Sequence, residues 1–248
     1  MSALTIVHLY PRELGINGDA GNVTALQTRA RWRGIPVTVH HHHPGGELPD
    51  QIDLIHIGSG PVAGQRAVHS DVLRIAQTLT DAASAGVPVL AIAGGWQLLS
   101  RGVQLPDGEQ LVGAGVFPSR TVLDRNRAVG EIVARAQDTV LAGFENHSGT
   151  TTLEDGAEPL ARVLSGVGNT QAATGEQRVE GIRIGASIGT HLHGPFLPMN
   201  PAIADQLLRS ALRHGDAQAA WPESDAITRV DAHAAKAREA IAKRLGVR

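Results

Sequence analysis

Two spacings of apolar residues alternate along the first hundred positions of the chain. Short apolar runs at Leu4 to Tyr10, Ile35 to Val39, Asp53 to Gly58 and Val87 to Ile92 have the length of strands. Between them lie segments whose apolar residues recur at helical spacing. One runs from Asn22 to Arg33 and is closed by Gly34. Another runs from Gln65 to Ala85, with Val68, Val72, Ile75, Ala76, Leu79 and Ala82 along one face and Gly86 as its stop. A short helix is predicted from Gly94 to Arg101. Strands that alternate with helices at this spacing are what parallel βαβ units require, so the pattern predicts an α/β fold.

From Gly102 to about Gly189 the pattern changes to short β-like runs, such as Ala128 to Ala134 and Gly181 to Ile188, separated by turn-rich segments. A helix returns over Pro201 to Arg213, with Asn200 placed as its cap and Pro201 suited to the first turn. After Gly215, DAQAAWPESD reads as a linker, and Ala226 to Leu245 as a helix with Ile227, Val230, Ala234, Ala237, Ile241 and Leu245 near one face. The chain therefore divides into a domain at 1–214 and a linker with a C-terminal helix at 215–248. That helix either docks on its own domain or presents its stripe to a partner.

Composition narrows the function classes. A chain of 248 residues that is 42% hydrophobic and 19% charged suits one large domain or a domain with an appendage. With 22 basic against 24 acidic residues it has no electrostatic footprint for nucleic acid or an anionic membrane. No apolar run approaches the roughly 18 residues of a membrane span, and MSALTIVHLYP has no basic leader region. The expectation is a cytoplasmic protein whose partners are small molecules or another protein. Zero cysteines exclude disulfides, thiolate metal sites and a thiol nucleophile. His40 to His43 invite a metal reading, but consecutive side chains in a strand point to opposite faces and cannot converge on one ion. They are expected in a solvated loop after a strand, and no metal site is predicted.

The stretch VLAIAGGWQLL, Val89 to Leu99, is a buried strand that breaks at two glycines and restarts as a helix. A nucleophile elbow has this form, because the sharp turn lifts one side chain clear of the sheet and aims the first N–H groups of the helix at the same point. A tight structural turn has the same form. The residue at the apex is Ala93, which can do no chemistry.

The elbow gains meaning from its company. LYPRELGINGDAGN (Leu9 to Asn22), IHIGSGP (Ile55 to Pro61), AIAGGWQLL (Ala91 to Leu99), GFENHSG (Gly143 to Gly149) and GTHLHGPFLPMNP (Gly189 to Pro201) together resemble the CobB/CobQ-like branch of the class I glutamine amidotransferases. Within it they look most like GatD-type glutaminase subunits, which work with the Mur ligase homologue MurT in lipid II isoglutaminyl synthase. The resemblance spans residues 4 to 213 and implies a flavodoxin-like, mostly parallel sheet flanked by helices. It also implies a glutaminase that passes ammonia to a MurT-like ligase, which amidates the D-glutamate α-carboxylate of lipid II. ATP and Mg would then sit on that partner, with no cofactor in this chain.

The resemblance assigns roles residue by residue. Ala93 stands where the family carries its cysteine nucleophile, and His193 matches the catalytic histidine that serves as base and acid. The N–H of Gly94, with one from the Gly58-Ser59-Gly60 loop, here assigned to Gly60, would form the oxyanion hole. Arg127 falls where the family places an arginine for the glutamine carboxylate, a job that suits a guanidinium; a solvated surface arginine is the other reading. His191 is expected to be a bystander. Glu145, Asn146 and His147 either organise a turn or face a channel or partner. Pro195 stands where most class I enzymes carry the triad acid, so an acid borrowed from the partner is expected. Ser59, Pro61, Val62 and Ala91 also depart from the family pattern, and with Ala93 they read as natural divergence; a deliberate knock-out is the alternative. Two functions follow: an inactivated glutaminase subunit, or a pseudo-amidotransferase that binds glutamine or scaffolds a Mur-ligase-like partner.

Overall fold

The computed structural model describes residues 3–170 and 178–247. The first half of the chain builds β1 (Leu4–Leu9), α1 (Ala20–Trp32), β2 (Val37–His42), β3 (Leu54–Ile57), α2 (Val62–Ser84), β4 (Val89–Ile92) and α3 (Gly94–Leu99). These strands join β11 (Ile182–Ile184) and β12 (Ser187–Thr190) in a six-stranded sheet of order β11-β12-β4-β3-β1-β2. All neighbours in it are parallel except the edge strand β11. Side-chain alternation divides the core. Leu4, Ile6 and Leu54 face Leu26 and Ala30 of α1, and Leu207 and Leu208 of α5 (Pro201–Gly215). Val7, Leu9, Ile55 and Ile57 face Val68, Val72, Ile75 and Leu79 of α2. Each of those four α2 side chains is 4% exposed or less, and burying each stabilises the fold by about 1.5–3 kcal/mol.

The middle of the chain is more regular than its sequence pattern suggests. Instead of short runs it contains β5 (Gly102–Gln104), β6 (Gln110–Val112) and an antiparallel hairpin of β7 (Ser119–Ala136) and β8 (Thr139–Leu153). A register shift between Val122 and Arg127 interrupts the pairing. Asp124, Arg125, Asn126 and Arg127 form a consecutive exposed run within β7, which hides the strand from an apolar scan. β9 (Ala161–Ser165), β10 (Val179–Glu180) and β13 (Leu192–His193) complete this second sheet.

The histidine run corrects a second expectation. β2 extends through His42, so His40, His41 and His42 pair with Val7, His8 and Leu9 rather than lying in a solvated loop. His42 is buried, and its Nε2 lies 2.8 Å from Asp71 Oδ2. Burial pushes the Asp71 carboxyl up, but hydrogen bonds from the Gly45 N–H, His42, Tyr10 and Arg74 outweigh it and hold the group down at about 2.

Asn200 precedes α5 but does not cap it through its side chain. The amide instead accepts from Ala142 N–H at 3.0 Å and donates to the Ala142 carbonyl at 2.8 Å, tying α4 (Phe196–Met199) and α5 to β8. The C-terminal helix, α6 (Asp225–Arg244), lies against α1, α4, β7 and β8. It buries Ile227, Ala234 and Ile241. Asp231 meets Arg29 of α1 at 2.6 Å, and Arg238 donates to the Met199 carbonyl at 2.6 Å. Most of its apolar stripe packs on its own domain, while Val230 stays exposed.

Candidate functional site

Four segments leave the carboxyl ends of neighbouring strands and meet. Asp19 lies after β1, Gly58-Ser59-Gly60 after β3, Ala93 after β4, and Leu192-His193 after β12. In the order β12-β4-β3-β1 these strands are adjacent, and β2 and β3 flank β1 on opposite sides. Open parallel sheets place ligand sites at such a reversal.

Ala93 has φ +41° and ψ −104°, a conformation rare for a residue with a side chain and worth about 1–3 kcal/mol of strain. Its N–H donates to the Thr190 carbonyl at 2.8 Å and its carbonyl accepts from Gln97 N–H at 2.9 Å, so both sides of the turn are pinned. The next two residues have to be small. A side chain on Gly95 would sit 2.4 Å from the Gly58 carbonyl, and one on Gly94 would sit 3.0 Å from Gln65 Nε2. The loop after β3 is just as close to its neighbours. Side chains on Gly58 and Gly60 would come within 2.2 and 2.4 Å of the Leu14 and Glu13 carbonyls.

A cavity of about 260 Å³ opens above the turn. Ala93, Gly94, Gly60 and Arg127 all line it, as do Asn146 and His147. Arg127 comes from β7, and its Nε and Nη2 donate to Asn146 Oδ1 at 3.0 and 2.7 Å. Asn146 in turn donates to Asn17 Oδ1 at 3.2 Å. This chain of bonds holds the guanidinium at the mouth of the cavity.

His193 is fully buried. Its Nδ1 lies 3.1 Å from Asp19 Oδ1, and its Nε2 has no hydrogen-bond partner among the described residues. Asp19 is also fully buried, and its second oxygen accepts the Ser59 N–H at 2.8 Å. An acid of this chain, 174 positions upstream, therefore lies beside the histidine. The sequence pattern gives Asp19, within GDAGN, no role. The available signal was an aspartate at a helix start directly after a strand, at the carboxyl edge where sites form.

The FENH residues do not make a turn. They lie within β8, where Glu145 and His147 point inward and Asn146 is partly exposed. Glu145 accepts the N–H groups of Val167 and Gly168 at 2.8 and 3.0 Å and so orders that loop. His147 stacks on His191 with ring centres 4.1 Å apart, and His191 packs on Trp96 at 4.8 Å. Burial, then repulsion from His147 and His193, pushes His191 well below the usual histidine range, so it is neutral. Neither His191 nor the buried His193 is among the residues that line the cavity. Burial raises the Glu180 carboxyl to about 7 against hydrogen bonds from Thr190 Oγ1 at 2.5 Å and His191 N–H at 2.8 Å. Among the described residues no group of three or more His, Cys, Asp or Glu could hold a metal ion, and no helix is long and apolar enough to cross a membrane.

A strained turn at a strand end, small residues behind it, a buried histidine–carboxylate pair and an arginine at the cavity mouth define the class I glutamine amidotransferase architecture. Solved structures agree on the fold. PurLQS from Thermotoga maritima superposes with a TM-score of 0.58 at 17% identity, covering 87% of this chain and all of that one. A glutamine amidotransferase crystal structure gives 0.56 at 16% identity, covering 83% and 98%. Residues 5–201 match the CobB/CobQ-like glutamine amidotransferase domain, and the chain belongs to that family. It is 37% identical over 214 residues to the GatD subunit of the glutamine-hydrolysing lipid II isoglutaminyl synthase of Staphylococcus aureus, covering 85% of each chain. Its identity to the corresponding Streptococcus pneumoniae subunit is 31%, covering 85% of this chain and 81% of that one.

Proposed function

We propose that this chain is a GatD-type subunit that pairs with a MurT-like ligase acting on lipid II, and that its own site binds glutamine without hydrolysing it. The observation that carries this reading is Ala93, a methyl group on an otherwise complete elbow. Similarity to two GatD subunits over 85% of the chain supports the role in the assembly. ATP and Mg belong to the ligase in this reading.

In the site, Arg127 would pair with the α-carboxylate of glutamine and release Asn146, while the side-chain amide reaches the floor formed by Ala93 and Gly94. The N–H of Gly94 is one of the first-turn donors of α3 and would donate to the amide oxygen. There the chemistry halts. A glutaminase forms a bond between its thiolate sulfur and the amide carbon while ammonia leaves, and the chain has no cysteine to supply that sulfur. In another hydrolase, loss of the nucleophile costs about a million-fold in turnover.

The test measures ammonia release from L-glutamine by the purified chain, alone and with a MurT-like ligase, alongside calorimetric titration with glutamine. Expected are saturable binding and no turnover. A rate above about one per second, within the ordinary enzyme range, overturns the reading. Ala93→Cys supplies the missing atom at a position that lines the cavity and is expected to gain glutaminase activity.

A further inference from the structure

Asp19 occupies the N-cap position of α1, yet makes no side-chain hydrogen bond to that helix. An aspartate at this position ordinarily stabilises a helix by accepting a first-turn N–H, and α1 goes without it. Both carboxylate oxygens are used elsewhere. Oδ1 meets His193 Nδ1 at 3.1 Å, and Oδ2 accepts the Ser59 N–H at 2.8 Å. The loop that delivers this carboxylate is itself bent for the purpose, with Asn17 and Gly18 both in the left-handed region at φ +57° and +82°. Gly18 and Gly21 lie against the Pro195 ring, with Cβ approaches of 3.7 and 2.7 Å, so the Asp19 loop packs directly on the residue that replaces the usual acid.

From this geometry we infer that Asp19 is the positioning residue of the site: it fixes the His193 imidazole as the Nδ1–H tautomer, leaves Nε2 without a proton, and locks the Ser59-Gly60 loop to the same carboxylate. A carboxylate only accepts hydrogen bonds, so the ring nitrogen facing it has to carry the proton. A neutral imidazole holds one ring proton, so Nε2 is then the lone-pair nitrogen, consistent with its having no donor or acceptor beside it among the described residues. Should a thiol stand at position 93, its proton would pass to Nε2, and the buried Asp19 charge would stabilise the imidazolium that forms. In this reading the carboxylate that orients His193 belongs to the same chain. The inference rests on the proposed reading of the cavity as a glutamine site for its purpose, but not for its test.

Nitrogen-15 NMR of the unmodified full-length chain reads the tautomer directly, with His193→Gln to assign the signal. The expected spectrum has the His193 proton on Nδ1; a ring protonated on Nε2 overturns the inference, whatever glutamine does. Asp19→Asn then offers Nδ1 an amide donor while its carbonyl can still accept from Ser59, and it is expected to move the proton to Nε2. An unchanged tautomer in a folded Asp19→Asn protein also overturns it. In the Ala93→Cys background, alkylation by iodoacetamide forms a C–S bond and expels iodide, and its rate follows the thiolate. With Asp19 present, the rate–pH profile should have its midpoint well below the value of about 8.5 for free cysteine. Asp19→Asn should return the midpoint toward that value and slow alkylation at pH 6.5 by about tenfold or more. Coincident profiles would refute the role even if Ala93→Cys failed to hydrolyse glutamine.

Discussion

His8 gives the fold a measurable acid sensitivity. It sits on β1 between His41 of β2 and His56 of β3, with ring centres 5.4 and 5.2 Å away. It is 3% exposed, and neither ring nitrogen has a hydrogen-bond partner among the described residues. Burial, then repulsion from His56, His41 and His43, lowers its pKa from 6.5 to about 3. A folded-state pKa below the unfolded value means that stability is fully present above the unfolded value and is lost as pH falls from 6.5 toward 3. At pH 4.5 the unfolded chain holds the proton and the folded chain does not, a penalty of about 2.7 kcal/mol against about 0.2 kcal/mol at pH 7. His8→Phe removes the titration while keeping a ring between its neighbours. The difference in unfolding free energy between pH 7 and 4.5 should shrink by about 2.5 kcal/mol relative to the parent. His56 and His191 are also lowered by burial; their slope is shared by both proteins and cancels in the comparison. Urea denaturation followed by far-ultraviolet circular dichroism at the two pH values measures it. Parallel pH profiles, with a difference under about 0.5 kcal/mol, would show that His8 is solvated or hydrogen-bonded in solution and would refute the reasoning.

Two further substitutions probe the site. Ala93→Gly relieves about 1–3 kcal/mol of backbone strain and gives up about 0.8 kcal/mol of methyl burial and about 0.4–1 kcal/mol of unfolded-chain entropy. The melting temperature should hold or rise slightly, and a loss above about 2 kcal/mol would mean the turn carries no strain. Arg127→Ala removes the charged donors at the cavity mouth and should weaken glutamine binding by about tenfold or more in calorimetric titration; an unchanged affinity would take Arg127 out of the site.

The sequence alone determined what depends on neighbours along the chain. Apolar runs and helical spacing located β1, β3, β4, α1 and α2, because a buried parallel strand and an amphipathic helix each write their burial into consecutive residues. The turn at Ala93 was legible for the same reason, since close backbone approach on both sides of Gly94 and Gly95 leaves glycine as the residue that fits. Where one face of a strand is wet the pattern weakens, so the sequence shows β7 and β8 only in pieces and leaves a turn open at FENH. The histidines of β2 were set in a loop because nothing local announces that Asp71, 29 positions on, will bond His42. Only the tertiary structure decided that Asp19 meets His193. That contact spans 174 residues and follows from strand order, which places the ends of β1 and β12 on one edge of the sheet. A sequence motif can mark each end of such a contact, but the distance between them is set by how the whole sheet packs.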